Sequence, residues 1–239
     1  MKQLLQYLIA LLLLPISCSE EKLGVYHGDT YLHFTGMDDR SPQTVNFNFA
    51  TDAPLAFEGT AKARMTLLGY LPETDIRYVV SVVPEKTTAK AGSDYLPLPE
   101  GVFHRGRPDD IYEVRVLRNK ELLKTRYTLT LCLDKAEGCR IGPSEFRYVT
   151  INVRDQVSRP RWWEQSAAVN LGEYSDLKYR VFIIFMDGKI LDSLDGYTGI
   201  EFTRLIADFK AWWKQEWARG NYQYYDADGT TPLYDTILD

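Results

Sequence analysis

The histidines, cysteines and tryptophans of this chain are the side chains best equipped for chemistry, and their spacing limits what they can do. His27, His33 and His104 stand far apart, and none falls in the HExxH spacing that places two imidazoles on one helix face around zinc. Cys132 with His104 as its base would make a nucleophile, but Cys132 lies in a strand-like run beside threonines, with no activating neighbour in sequence. A structural thiol is the better reading. No G-x-S-x-G elbow, Walker loop or G-x-G-x-x-G fingerprint occurs. Carboxylates are plentiful, so a glycosidase pair remains the basis of a third-ranked hydrolase reading. Asp226-Ala227-Asp228-Gly229 looks like part of a calcium loop. It lacks the further ligands of an EF-hand and reads as a turn. Two cysteines without nearby histidines cannot supply four metal ligands. The expectation is a non-enzyme with no metal and no cofactor.

The aromatic residues offer binding instead. Trp162, Trp163, Trp212, Trp213, Trp217 and Tyr222, Tyr224 and Tyr225 all lie in the C-terminal third. Exposed rings stack on sugar faces and anchor interfaces, whereas rings on a helical stripe form core. Trp217 belongs to such a stripe. Adjacent residues on a helix point about 100° apart, so Trp212 and Trp213 cannot both point inward. Trp162, Trp163, Tyr224 and Tyr225 are the candidate ligand contacts, Tyr224-Tyr225 foremost, but burial in the core is the better reading because large aromatics supply much of a small domain's packing.

The elements that must position these side chains change character along the chain. From Tyr31 to Asp155, apolar and polar residues alternate with the period-two pattern of half-buried strands. Val45, Phe47 and Phe49 oppose Asn46 and Asn48; Ala63, Met65 and Leu67 oppose Lys62, Arg64 and Thr66. Ile76, Tyr78, Val80 and Val82 share a face, as do Tyr112, Val114 and Val116. Tyr127, Leu129, Leu131 and Leu133 oppose Thr128, Thr130 and Cys132, and Val149, Ile151 and Val153 end the series. About seven short strands between Gly, Pro and Asp turns predict an Ig-like two-sheet β-sandwich, without the Cys–Trp–Cys core of antibody domains.

Beyond the turn signals of 157–160 the period becomes helical. Ser175 suits an N-cap for a helix running to Gly188, although the β-branched residues of Val181-Phe182-Ile183-Ile184-Phe185 leave a strand open. Phe202, Leu205, Ile206, Phe209, Trp212 or Trp213, and Trp217 recur at three- and four-residue spacing, with Gly220 as the stop. The fold class is mainly β with α: a sandwich over residues 31–156, then a small helical region over 160–239.

The chain has 239 residues and a formal charge of −5, and 45% of it is apolar. A mildly acidic balance argues against a nucleic-acid partner. Lys2, the apolar stretch Leu4–Leu14 and the small residues after it describe a secretory signal peptide over residues 1–17, too short to span a bilayer. Leu14-Pro15-Ile16-Ser17-Cys18 resembles the lipobox of bacterial lipoproteins, which implies lipidation of Cys18 and a tether over residues 18–30. Pro15 departs from the usual leucine there. Several acyl chains on one cysteine anchor a protein stably, at about 0.8 kcal/mol per buried CH₂. Ser19-Glu20-Glu21 resembles the surface-export signal of Bacteroidetes lipoproteins. Together they imply an outer-membrane protein held through its lipid and facing outward. In that exported compartment Cys132 and Cys139 are free to form a disulfide or to remain thiols, and both readings stay open.

The stretch Thr87 to Tyr95, TTAKAGSDY, is similar to the A-x-A-G-x-D-Y segment of Calx-β domains, and the strand order after it also matches. That resemblance raises calcium, which Calx-β domains bind through acidic loops. Here the corresponding loop, residues 118–126, has Glu121 as its carboxylate among Arg118, Lys120, Lys124 and Arg126, so calcium is not expected. With DTYLHFTG, PRWWEQ and NLGEYSDLKYR, the chain resembles an uncharacterised Bacteroidetes lipoprotein family, a domain of unknown function with a Calx-β-like N-terminal half. The resemblance implies a surface binding or accessory protein of an outer-membrane glycan- or nutrient-uptake system, with polysaccharide or a transporter complex as partner. A structural or adhesive protein with a protein partner is the alternative.

Overall fold

The computed structural model describes residues 28–36, 41–163, 171–225, 232, 233 and 235. Among these residues the strands are β1 (Tyr31–Phe34), β2 (Gln43–Asn48), β3 (Glu58–Leu68), β4 (Ile76–Val82), β5 (Gly101–Phe103), β6 (Asp109–Leu117), β7 (Tyr127–Ala136), β8 (Arg140–Ile141) and β9 (Tyr148–Arg154). They form a four-stranded sheet in the order β6-β3-β1-β8 and a five-stranded sheet in the order β2-β9-β7-β4-β5. Most neighbours are antiparallel, but β1 with β8 and β2 with β9 run parallel. This is an Ig-like sandwich, and helices follow it.

The inward faces are those that the alternation predicts. Ala61, Ala63, Met65 and Leu67 of β3 and Tyr112, Val114 and Val116 of β6 meet Leu129, Leu131 and Leu133 of β7 and Val149, Ile151 and Val153 of β9 in one core. Each large apolar side chain taken fully out of water contributes about 1.5–3 kcal/mol, so these stripes hold the two sheets together. β5 and β8, of three and two residues, are too short to show a period in the sequence.

Two local departures have physical causes. Thr130 and Cys132 sit on the polar face of β7 yet are buried. The segment after β4 lies alongside β7, where Val83 N donates to Thr130 O (2.9 Å) and the Thr130 hydroxyl donates to Lys86 O (3.0 Å). The strand expected to run through Phe49 instead stops at Asn48. The Asn48 carboxamide accepts from Ala50 N (3.2 Å) and Gln156 N (3.1 Å) and donates to Gln156 O (2.9 Å). It thereby caps a single helical turn, α1 (Phe49–Asp52), and an asparagine that reads as surface becomes buried.

The C-terminal part folds around α2 (Asp176–Phe185) and α3 (Gly199–Ala218). Ser175 caps α2 as expected, accepting from Lys178 N (3.2 Å). Gly188 closes it with φ of +79° and its N–H on Ile183 O (2.9 Å), the six-to-one bond of a Schellman turn. The segment Val181–Phe185 is therefore helical. α3 begins at a capping box in which Thr198 Oγ1 accepts from Glu201 N (3.3 Å) and Glu201 accepts from Thr198 N (2.8 Å). Trp162, Trp163, Tyr179, Phe182, Phe202, Ile206, Phe209 and Trp213 make a second core.

An ion cluster ties the two parts together. Asp155, just past β9, lies between Arg118 of the β6–β7 loop (2.8 Å) and Arg180 of α2 (2.7 Å). Arg118 also donates to the carbonyls of Pro54 (2.7 Å) and Ala56 (3.1 Å) and packs on the ring of Phe49. Lys178, buried on α2, donates its ammonium to Glu173 O (2.9 Å). No helix of the described residues is long and apolar enough to cross a membrane.

Candidate functional site

The outer face of β2, β9 and β7 carries a polar surface that follows from their register. Val45, Ile151 and Leu129 are aligned across the three strands, as are Phe47, Val153 and Tyr127, and these point into the core. The residues between them must point out. Thr44, Thr150 and Thr130 form one outward row; Asn46, Asn152 and Thr128 form the next. In the second row the Thr128 hydroxyl bonds Asn152 Oδ1 (3.0 Å), and Asn152 Nδ2 donates to Asn46 Oδ1 (3.2 Å). One further step along the strands, Arg154 aligns with Asn48, and Arg126 directly precedes Tyr127 beside it.

This end of the sheet opens into a groove of about 580 Å³ lined by Asn46, Lys124, Thr125, Arg126, Asn152, Arg154 and Gln156, with Phe47 and Val153 at its base. Among the described residues its charged lining is wholly cationic. The ion pairs of the described residues include none of Lys124, Arg126 and Arg154.

A tyrosine and an aspartate place the loop that supplies Lys124 and Arg126. The buried Tyr127 hydroxyl donates to Asp94 O (2.6 Å), and Leu117 N donates to the same carbonyl (2.8 Å). Burial, with the Asp94 carboxylate nearby, pushes the Tyr127 hydroxyl far above the usual tyrosine range, so it stays a protonated donor. Asp94 accepts from Lys90 N (2.8 Å) and from Asn119 Nδ2 (2.7 Å), and Asn119 in turn caps the turn Lys120–Leu123. The aspartate of the TTAKAGSDY stretch is thus a structural clamp on residues 118–126. Replacing Tyr127 by phenylalanine leaves that carbonyl short of a partner and is expected to cost about 1–2 kcal/mol, read from the urea midpoint.

The aromatic candidates lie elsewhere. Trp162 and Trp163 are 1% and 4% exposed, with their indole N–H groups on Leu191 O (2.6 Å) and Gly172 O (3.1 Å). They are core, which corrects their reading as ligand contacts, because the satisfied N–H groups and stacked rings leave no face for a sugar. Tyr224 is half-buried against the helical core, while Tyr225 is 55% exposed. Trp213 points inward and Trp212 is half-buried, as the 100° step requires.

The histidine and cysteines also separate. His104 Nδ1 is 2.6 Å from Asp110 Oδ2, not near Cys132. Desolvation would raise the Asp110 pKa, but hydrogen bonds from His104 and Ile111 outweigh it and hold the carboxyl below its usual range. Burial pushes both the Cys132 and Cys139 thiols up, and neither is bridged, so the disulfide alternative gives way to two free thiols. In a Cys18→Ala variant unfolded without reductant, a thiol reagent is expected to titrate both; a silent pair would mean a disulfide. Among the described residues no group of three His, Cys, Asp or Glu side chains is placed to hold a metal ion. Cys18, Ser19, Glu20, Glu21, His27 and residues 226–229 lie outside the described residues.

Sequence reasoning missed the groove. The signal was present in the spacing of Asn46, Asn152, Arg154 and Arg126 as outward residues, but the order β2-β9-β7 that gathers them is tertiary.

The likenesses to solved structures are distant. The apo-form Calx CBD1 domain is 16% identical and aligns over 54% of this chain and 98% of its own, with a TM-score of 0.36. A putative carbohydrate binding protein from Bacteroides ovatus is 13% identical over 53% of this chain and 37% of its own, TM-score 0.34. A two-domain protein of unknown function from Bacteroides fragilis is 12% identical over 57% and 49%, TM-score 0.32. The chain thus spans less than half the length of either Bacteroides protein. Among proteins with curated functions, none matches the sequence. A family model matches residues 26–188, which takes in the sandwich, the ion cluster around Asp155 and all of α2. By that match the chain belongs to the family described as domain of unknown function DUF4843.

Proposed function

We propose that this chain is a non-enzymatic, lipid-anchored binding protein of a Bacteroidetes outer-membrane surface, an accessory of a glycan- or nutrient-uptake system. The groove on β2, β9 and β7 carries the reading. Its lining of amides, guanidinium groups, an ammonium and a hydroxyl presents hydrogen-bond donors and acceptors. Groups of this kind suit holding a polar ligand through hydrogen bonds. The Leu14–Cys18 stretch supports the anchor, and Ser19-Glu20-Glu21 supports display on the outside.

Two measurements test this. Affinity electrophoresis of the full chain through gels holding a panel of polysaccharides is expected to show retardation that weakens in an Asn46→Ala/Asn152→Ala variant. Retardation by none of them would remove the glycan reading. Separately, Cys18→Ala is expected to abolish incorporation of labelled palmitate and release the chain from the membrane fraction. Unchanged labelling would remove the anchor.

A further inference from the structure

We infer that the groove takes an anionic polysaccharide, one whose repeating units carry carboxylate or sulfate groups. The inference rests on the binding reading above and specifies its ligand. Its basis is the placement of charge. The protein carries a net −5, yet Lys124, Arg126 and Arg154 converge on one hollow that no carboxylate of the described residues lines. Arg118, on the same loop, shows the contrast: it is folded inward onto Asp155 and two carbonyls. The loop therefore divides its cations between holding the fold and facing solvent.

The geometry fits a sugar chain that bears acidic groups. Tyr127 pairs with Val153, so Arg126 and Arg154 follow at the ends of adjacent strands, whose backbones lie about 4.8 Å apart, and both guanidinium forks line the groove. Such forks bind carboxylate and sulfate oxygens through paired N–H bonds, and bring more direction to the contact than an ammonium does. Two residues along the same strands, about 6.7 Å away, lies the Asn46–Asn152–Thr128 row. Its amides and hydroxyl are already aligned by their mutual hydrogen bonds, which lowers the entropy lost when they take sugar hydroxyls. A neutral glycan would use that row and leave the cations unpartnered. An acidic one uses both.

The test is titration calorimetry of the full chain in detergent micelles against polygalacturonate, chondroitin sulfate and neutral dextran, with duplex DNA and anionic phosphatidylglycerol vesicles as controls. Binding to polygalacturonate or to chondroitin sulfate, absent for dextran, is expected to weaken about tenfold or more in an Arg126→Gln/Arg154→Gln variant. It should also weaken several-fold between about 50 and 200 mM salt, as exposed charge pairs are screened. Preference for polygalacturonate assigns carboxylate as the anion, and preference for chondroitin sulfate assigns sulfate. Both residues are exposed, so the variant should keep the wild-type circular dichroism and urea midpoint. Equal binding to dextran, unmoved by the double variant, would overturn the anionic ligand while leaving a glycan-binding protein. DNA or vesicles bound as tightly as the acidic polysaccharide would overturn it as indiscriminate attraction. Binding to no polysaccharide would overturn both readings.

Discussion

Replacing Trp162 by alanine is expected to destabilise the C-terminal part by about 3–5 kcal/mol, the range for deleting a buried tryptophan or phenylalanine side chain. Trp162 is 1% exposed, lies against Trp163, Tyr179, Phe182 and Phe202, and donates to Leu191 O. Removing the indole opens a cavity among rings from both helices and leaves the half-buried Leu191 carbonyl to the Tyr179 hydroxyl (3.1 Å). Tyr225→Ala, at an exposed position, should shift stability by no more than about 0.5 kcal/mol. Because all five tryptophans lie in the C-terminal part, fluorescence follows its unfolding, and circular dichroism adds the strands. The fluorescence midpoint in urea should fall first and furthest. A Trp162→Ala protein with the wild-type midpoint and weakened glycan retention would show that the indole reaches solvent after all.

Replacing Asp155 by asparagine should cost a similar amount for a different reason. Asp155 and Arg180 are nearly out of solvent, and Arg118 is 17% exposed. Removing one partner from a buried ion cluster leaves the other charges desolvated without compensation, at about 3–5 kcal/mol. Asparagine keeps the shape and leaves the Pro54 and Ala56 carbonyls to Arg118, so the loss should lie toward the lower end. The cluster joins a strand end, a loop and α2, so the fluorescence and dichroism midpoints should fall together. A change below about 1 kcal/mol would mean that water reaches the cluster and treats it as a surface pair.

The behaviour of these residues shows how far the amino-acid sequence reaches. Ala63, Met65 and Leu67, or Val149, Ile151 and Val153, declare their strands because a half-buried strand must alternate, and the structure buries them accordingly. Phe202, Ile206, Phe209 and Trp213 declare α3 by the same logic at helical period, and Ser175, Gly188 and Gly220 mark helix ends through cap chemistry that is local to the chain. The sandwich with helices after it was legible for that reason.

What depended on distance along the chain was not. Asn48 reads as an outward residue until Gln156, far away in sequence, brings the carbonyl and N–H that its carboxamide satisfies. Lys178 and Arg180 of α2 carry charge yet are buried, because the Glu173 and Leu171 carbonyls and Asp155 receive them. Trp162 and Trp163 could have served a surface or a core, with the core the better reading, and the packing of α2 and α3 around them decided. The groove shows the same division. Period two turned Asn46, Asn152 and Arg154 outward, whereas the parallel pairing of β2 with β9 and the clamp of Tyr127 on Asp94 brought Lys124 and Arg126 beside them. Periodicity acts between neighbours in sequence and needs only the chain. Hydrogen bonds and ion pairs between distant residues exist only once the fold has closed.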